Sequence, residues 1–372
     1  MQQQPTPIRV VIGMSGGVDS SVAAYLLKEQ GYDVVGMTMK VWLNDCISQA
    51  EDACCGPSAI SDARAVAHKI GIPHYVIDES LDFEKTVIDY FADEYRAGRT
   101  PNPCVICNEK VKFGALWTKA AALGARYIAT GHYARVEHLE NGCSVLSKGT
   151  DTHKDQSYFL FSLTQEQLGR TLFPLGDMSK PEIREIARRI GLKVAEKADS
   201  QEICFVPGND YKAFLRQRAG EGGERFQKGG IYDTTGHRLA DHDGIELFTI
   251  GQRKGLPGGA PEPRYVVDIA PATRRVIVGA AADLLTESFE IARCRWHQPE
   301  APAEPFEAVV KIRYGHPGTP ATVTPLGPDR AQIRLHTPQR AVTPGQAAVC
   351  YDGQRVLGGG WIARHEGAGE RE

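Results

Sequence analysis

Two groups of residues in this chain are of types and spacings that could do chemistry. The first is Gly13-Met14-Ser15-Gly16-Gly17-Val18-Asp19-Ser20-Ser21, set between the apolar run Val10-Val11-Ile12 and the helix formers that lead to Lys28. A strand that turns sharply into a helix presents the helix's unpaired N–H groups at the turn. Glycines let that backbone approach an anion closely, and serine hydroxyls add donors, so the turn can cradle phosphates. No Lys-Ser or Lys-Thr follows the glycines, which separates the loop from a Walker A motif. Asp19 is read as holding magnesium beside the phosphates rather than touching them.

The second group is a set of thiols. In Thr100-Pro101-Asn102-Pro103-Cys104-Val105-Ile106-Cys107-Asn108 two prolines fix an extended loop ahead of a helix. Cys107 is then expected near the helix N-terminus with Lys110 and Lys112 behind it, and both features favour the nucleophilic thiolate. Cys104-x-x-Cys107 also has metal-ligand spacing, and Cys54-Cys55 could complete a zinc or iron–sulfur site. A third stretch, Asp199-Ser200-Gln201-Glu202-Ile203-Cys204-Phe205-Val206, places Cys204 among apolar residues, where local sequence alone reads it as a buried, inert strand cysteine. Cys46, Cys143, Cys294 and Cys350 read as structural.

The elements that must position these groups follow from periodicity. Up to Val206 short apolar runs (Arg9–Ile12, Val34–Met39, Tyr75–Ile77, Tyr127–Thr130) alternate with helical patterns (Ser20–Lys28, Ala59–Ile70, Phe83–Tyr95, Lys112–Ala122, Pro181–Ile190). In Ala59–Ile70 the residues Ile60, Ala63, Ala67 and Ile70 recur at helical spacing, and Gly71 closes the helix. Such alternation predicts a parallel α/β sheet with ligands at the carboxyl ends of its strands. Gly13 and Thr130-Gly131-His132-Tyr133 both lie at such ends. A helix at Tyr211–Arg218, a segment at Gly229–Asp233 and strands at Tyr265–Ile269 and Val276–Val278 predict a small, mainly β domain. Short strands at Val309–Tyr314, Ile333–Leu335, Ala348–Tyr351 and Val356–Leu357, separated by Pro and Gly turns, predict a β-barrel. The expected domains are 1–207, 208–286 and 287–366.

Composition sets the bounds. A chain of 372 residues, 42% hydrophobic and 24% charged, suits a multi-domain globular protein. No apolar run approaches the ~20 residues of a membrane span, and Met1-Gln2-Gln3-Gln4-Pro5 lacks a signal peptide's apolar region, so a cytoplasmic location is expected. Nine cysteines, an odd number, argue for thiol chemistry or metal binding over a disulfide scaffold. The net charge of -3 means that an RNA partner would need a local positive surface.

The string SGGVDSS resembles the signature of the PP-loop, or N-type ATP pyrophosphatase, enzymes, which cleave ATP between its α and β phosphates and use the AMP to activate an oxygen. GMSGGVDSSV, TPNPCVICN, ATGHYA, KDQSYFL, DSQEICF, FTIGQRKGL and TPGQAAV…LGGGWI together resemble the bacterial tRNA-specific 2-thiouridylase family over nearly the whole chain, from Gly13 to Ile362. That resemblance implies an N-terminal PP-loop (adenine nucleotide alpha hydrolase-like) parallel-sheet domain, a small central domain and a C-terminal β-barrel.

It also implies roles. Cys204 would carry a persulfide and Cys107 would be its nucleophilic partner, with a transient Cys107–Cys204 disulfide. ATP, with magnesium, would be bound by Gly13, Met14, Ser15, Gly16, Gly17, Val18, Asp19, Ser20, Met39 and Gly131. The target base would meet Asn102, Pro103 and Cys104, although family members can have Asp where this chain has Cys104. tRNA would also meet His132, Lys154, Asp155, Gln156, Arg313, Tyr314 and Gln346. The implied partners are tRNA, a cysteine desulfurase or sulfur-relay protein, and a reductant; an iron–sulfur cluster stays open, and a monomer is expected. A PP-loop amide-forming ligase would share the first loop but need neither cysteine. A non-catalytic RNA- or nucleotide-binding protein with a metal-bound cysteine cluster would bind zinc or iron and release no pyrophosphate.

Overall fold

The computed structural model describes residues 6–41, 56–198, 203–221, 226–258, 262–298 and 300–364. Cys46 and the Cys54-Cys55 pair lie outside them. By contacts the chain divides into two units, one of residues 1–88, 104–207 and 354–356, the other of 89–103, 208–353 and 357–372.

In the first unit five strands form an all-parallel sheet in the order His74–Asp78, Asp33–Lys40, Arg9–Gly13, Tyr127–Ala129, Thr171–Leu172. Val10, Val11 and Ile12 are wholly buried, as expected for a central strand covered on both faces. The helices Val18–Glu29, Pro57–Ile70 and Lys180–Arg189 supply Val22, Ala63, Ile183 and their neighbours to one core against the sheet. Gly71, at φ 67°, ends the second of these helices. The second strand in space lies on one side of Arg9–Gly13 and a later strand, Tyr127–Ala129, on the other. The strand order therefore reverses between those two, and their carboxyl ends open onto a topological switch point.

Two regions differ from the sequence expectation. The helix expected at Phe83–Tyr95 is three pieces: Ser80–Phe83, a π-helical turn at Glu84–Ile88, and Asp89–Arg96. Likewise the helix expected from Lys112 begins at Pro103, runs as a π-helix through Cys107–Ala115 and finishes as Leu116–Ala122. A hairpin of Ala134–His138 with Ser144–Lys148 was not anticipated, although Asn141-Gly142 at its tip is a common hairpin turn.

In the second unit Asp89–Arg96 packs on Tyr211–Glu221. Tyr95 stacks on Tyr211 with ring centroids 4.8 Å apart, Phe91 meets Phe214 edge-on, and Arg218 pairs with Asp89. A four-stranded sheet, ordered Tyr265–Ala270, Arg275–Gly279, Gly229–Asp233, Arg238–His242, encloses Ile231, Val266, Val276 and Val278. The C-terminal strands form a six-stranded antiparallel barrel. Leu285–Trp296 is followed in space by Arg330–Arg340, Thr319–Gly327, Phe306–Lys311, Ala347–Asp352 and Arg355–Ile362, which pairs back with Leu285–Trp296. Ile291, Val310, Val323 and Ile333 fill it.

Candidate active site

The loop after the first strand is built to leave helix donors open. Met14 N–H continues the sheet to Met37 O at 2.7 Å, and Met14 O accepts from Thr38 Oγ1 at 2.8 Å. Ser20 Oγ accepts from Ser15 N–H at 3.2 Å and Ser21 Oγ donates to Gly17 O at 2.7 Å, so the serines brace the turn internally. Gly17 is the N-cap of Val18–Glu29 and has no side chain to cap it. The N–H groups of the first helical turn are therefore not taken by a capping side chain, which is the arrangement that suits an anion.

Gly131, at the end of the neighbouring strand, closes on this turn. A Cβ there would stand 2.7 Å from Ser20 N and 2.8 Å from Asp19 C, backbone atoms that cannot swing aside. Gly131→Ala is expected to push the first turn of the helix away and to weaken ATP binding at least about tenfold, or about 1.4 kcal/mol, read by calorimetry. Unchanged affinity would show that the first turn is not the phosphate cradle. Met39, half-buried, sits on the second strand opposite Ile77.

Asp19 is placed differently from the magnesium reading. Lys180 Nζ donates to both of its carboxylate oxygens, at 2.8 and 2.9 Å, and Tyr133 Oη donates to Oδ1 at 2.7 Å. The carboxylate is thus held by a cation and a hydroxyl, and it does not fit a metal-ligand role in this arrangement. Lys180 is itself 7% exposed. Sequence reasoning missed it, because Ser179-Lys180-Pro181-Glu182 looks like an ordinary helix start with a capping box. Lys197 adds a second cation, bonding Gly16 O at 3.2 Å and Asp62 at 2.6 Å.

The cysteines divide by environment. Cys104 is exposed, whereas Cys107 and Cys204 are half-buried. Cys107 does not stand at a helix N-terminus: the helix starts at Pro103, so Cys107 lies one turn inside and opens the π-helical stretch. Such stretches are rare and recur at functional sites. Lys110 is paired with Glu109 at 2.6 Å, which reduces its pull on a thiolate. The buried-strand reading of Cys204 does not hold either. It lies in a turn closed by Val206 N–H to Ile203 O, and the buried residues there are Phe205 and Val206. Phe205 meets Phe83 edge-on at 5.9 Å, and the helical segment after Phe83 packs against Cys107–Ala115. The Cys204 turn is thereby seated on the helical layer that carries Cys107. Cys294 and Cys350 are buried in the barrel, and burial pushes the Cys294 thiol up to about 12 and raises the Cys350 thiol as well. Both are inert protonated thiols at neutral pH. Among the described residues no group of three or more His, Cys, Asp and Glu could hold a metal.

The residues expected to meet tRNA are placed unevenly. Asn102 and Pro103 are buried beside the exposed Cys104. Asp155 accepts from Gly149 N–H and from Ser157 N–H and Oγ, Gln156 Oε1 accepts from Tyr133 N–H at 3.0 Å, and Lys154 is half-buried. Arg313 and Tyr314 are exposed on the barrel. Gln346 reaches the Thr100-Pro101 backbone.

His132 is interior, with Nδ1 2.7 Å from Thr130 Oγ1 and its ring beside Phe113 and Phe173. Burial, with some help from Lys112, lowers its pKa well below the usual histidine value. Below about pH 6.5 the unfolded chain takes up a proton at this residue that the folded one refuses, so stability is lost on acidification at up to about 1.4 kcal/mol per pH unit. His132→Asn should accordingly lose less stability than the parent between pH 7.5 and 5.5, measured by urea unfolding. Equal losses would contradict a buried neutral ring.

Comparisons with known proteins agree along the chain. Residues 8–208 match the family described as the tRNA methyl transferase HUP domain, 212–280 the tRNA methyl transferase PRC-barrel domain and 286–362 the aminomethyltransferase beta-barrel domain. The chain is 52% identical over 358 residues to a protein of Geobacter metallireducens named tRNA-specific 2-thiouridylase MnmA, covering 95% of this chain and 96% of that one. Proteins of the same name from Lachnoclostridium phytofermentans (48% identical, 96% and 99% covered) and Geotalea uraniireducens (51%, 95% and 94%) are similar to the same extent.

Proposed function

The chain belongs to the tRNA-specific 2-thiouridylase family, and from that premise we propose that it replaces the C2 oxygen of the tRNA wobble uridine by sulfur. The single observation that carries this reading is the near-full-length likeness at about half identity, in a chain that has both the open loop and the two half-buried cysteines. Methyl transfer, which the family descriptions mention, needs neither feature.

The C2 carbonyl oxygen of uracil is a poor leaving group. In the proposed first step it attacks the α phosphorus of ATP, pyrophosphate leaves, and the base becomes an adenylate. The Gly13–Ser20 turn holds the phosphates through the first-turn N–H groups and stabilises the charge that develops on them. Met39 and Gly131 border the nucleotide. ATP enters as its magnesium complex, and no protein ligand to the metal is assigned because Asp19 is engaged with Lys180 and Tyr133.

In the second step the terminal sulfur of a Cys204 persulfide attacks C2 and AMP leaves, giving a C2–S–S–Cys204 adduct. The Cys107 thiolate then attacks Cys204 Sγ. The C2-bound sulfur leaves with the bonding pair as the thiocarbonyl, and a Cys107–Cys204 disulfide remains. In the alternative order Cys107 first releases hydrosulfide from the persulfide, and that ion attacks C2. Either way the two cysteines are oxidised, the sulfane sulfur is reduced, and an external dithiol must reopen the disulfide. Asn102, Pro103 and Cys104 meet the flipped base, and Lys154, Asp155, Gln156, Arg313 and Tyr314 meet the rest of the tRNA. Sulfur arrives from a cysteine desulfurase or a relay protein. No step is routed through an iron–sulfur cluster.

The test combines purified protein, unmodified tRNA, Mg-ATP and a persulfide source. Thiolated wobble uridine, retarded on a mercury-containing gel, should form with one pyrophosphate per sulfur. Pyrophosphate release without sulfur in the uridine would sink the assignment.

A further inference from the structure

Gln346 looks from the sequence like an RNA contact, but its side chain is already engaged. Nε2 donates to Thr100 O at 3.2 Å and to Pro101 O at 2.9 Å, so both of its hydrogens face the loop. Only Oε1 is left for any other partner. The same barrel turn holds the loop twice more. Thr100 N–H donates to Pro344 O at 2.8 Å, and Gly345, at φ 88°, lies so close that a Cβ would stand 2.8 Å from Thr100 O. The turn is in its own right fixed to the last barrel strand, through Gly345 N–H to Ile362 O and Ile362 N–H to Gln346 O. On the other side of Thr100, Arg99 forks onto the Glu94 carboxylate, with Nε to Oε2 at 2.8 Å.

We propose that Gln346 is a positioning residue: with Pro344 and Gly345 it forms a clasp that sets the backbone of Thr100-Pro101-Asn102-Pro103, the lead-in to Cys104 and Cys107. Consecutive carbonyls of an extended chain point to opposite sides. Two of them converging on one amide nitrogen require a bend at Pro101, and the Gln346 amide, donating to both, holds that bend. Pro101 and Pro103 have no N–H, so the loop has few donors of its own with which to fix itself. Both Thr100 and Pro101 carbonyls would otherwise need water or another donor. The clasp thus transmits the rigidity of the barrel to the loop. The link to rate rests on the proposed thiolation, whereas the clasp does not.

Two variants separate the outcomes. Gln346→Leu removes the donors and Gln346→Glu sets a carboxylate against two carbonyls. Hydrogen–deuterium exchange of the apo protein reads the clasp without activity. Peptides covering 97–103 should exchange at least about tenfold faster in the Leu and Glu variants, while 347–352 stays protected. Unchanged exchange at 97–103 would overturn the clasp. With saturating tRNA, single-turnover thiolation should fall about tenfold or more while the tRNA Kd stays within about twofold, because a displaced loop lowers the rate after binding. A raised Kd with an intact saturating rate would make Gln346 an RNA contact instead, and an intact rate with a loosened loop would remove its positioning role. If the parent protein makes no thiouridine, the functional reading fails and exchange alone decides the clasp.

Discussion

Cys204→Ser will make no thiolated uridine yet will still release pyrophosphate from ATP when tRNA is present. The sulfur has one proposed carrier, and a hydroxyl cannot hold a persulfide. Activation of the oxygen uses the Gly13–Ser20 turn and precedes sulfur, so it should persist. Cys107→Ser is the more informative partner. If the persulfide attacks C2 directly, this variant stops at the C2–S–S–Cys204 adduct, a tRNA–protein complex that survives denaturing gels and is released by dithiothreitol as thiolated tRNA. If hydrosulfide is the attacking species, no adduct forms and sulfide is not released. Both variants should lose at least about 10³-fold in thiolation, roughly 4 kcal/mol of barrier, with little change in stability because each position is half-buried. Mercury-gel electrophoresis, denaturing gels and pyrophosphate release read the three outcomes. Full activity of either variant would end the two-cysteine scheme. A Cys143→Ala variant serves as the control. Cys143 is half-buried at the turn that joins Ala134–His138 to Ser144–Lys148 and is outside the proposed exchange, so its loss should leave the adduct chemistry intact.

What could be read beforehand was local. Val10-Val11-Ile12 is an apolar run between a charged residue and a glycine, and a central parallel strand needs no more signal than that. The helix after it declared itself by composition, and Gly71 by its place at the end of a periodic run. The π-helical winding at Cys107 carries no sequence mark, because it arises from how the segment packs rather than from propensity. The same holds for contacts that span the chain. Lys180 lies 161 residues from Asp19, and Gln346 lies 246 from Thr100. Nothing near Lys180 betrays that its ammonium is directed inward, and Asp19 next to a phosphate loop suggests a metal until its partner is seen. His132 shows the reverse error. A polar residue at a strand end reads as a contact, and only the rings of Phe113 and Phe173 around it reveal an interior side chain.

Lys180→Met should weaken ATP binding about a hundredfold, and the reason is the charge it leaves behind. In the parent, the Lys180 ammonium and the Asp19 carboxylate make a nearly neutral pair beside the phosphate turn. Methionine keeps most of the volume but leaves the carboxylate, among the described residues, with the Tyr133 hydroxyl. Asp19 is about a third exposed, so solvent reaches part of the carboxylate. A carboxylate about 5 Å from a phosphate charge, at an effective dielectric near 20, repels it by about 3 kcal/mol. That repulsion is the expected loss in binding. Stability should fall less, by about 2 kcal/mol, since solvent screens part of the orphaned charge. The pairing also makes a signed prediction for the double variant. Asp19→Asn with Lys180→Met removes both charges, so it should recover most of the affinity lost in the single variant, a coupling that titration calorimetry on the four proteins measures directly. If Lys180 instead touched the phosphates, removing Asp19 as well would recover nothing, and the cation would be a direct ATP ligand rather than the neutralising partner of Asp19.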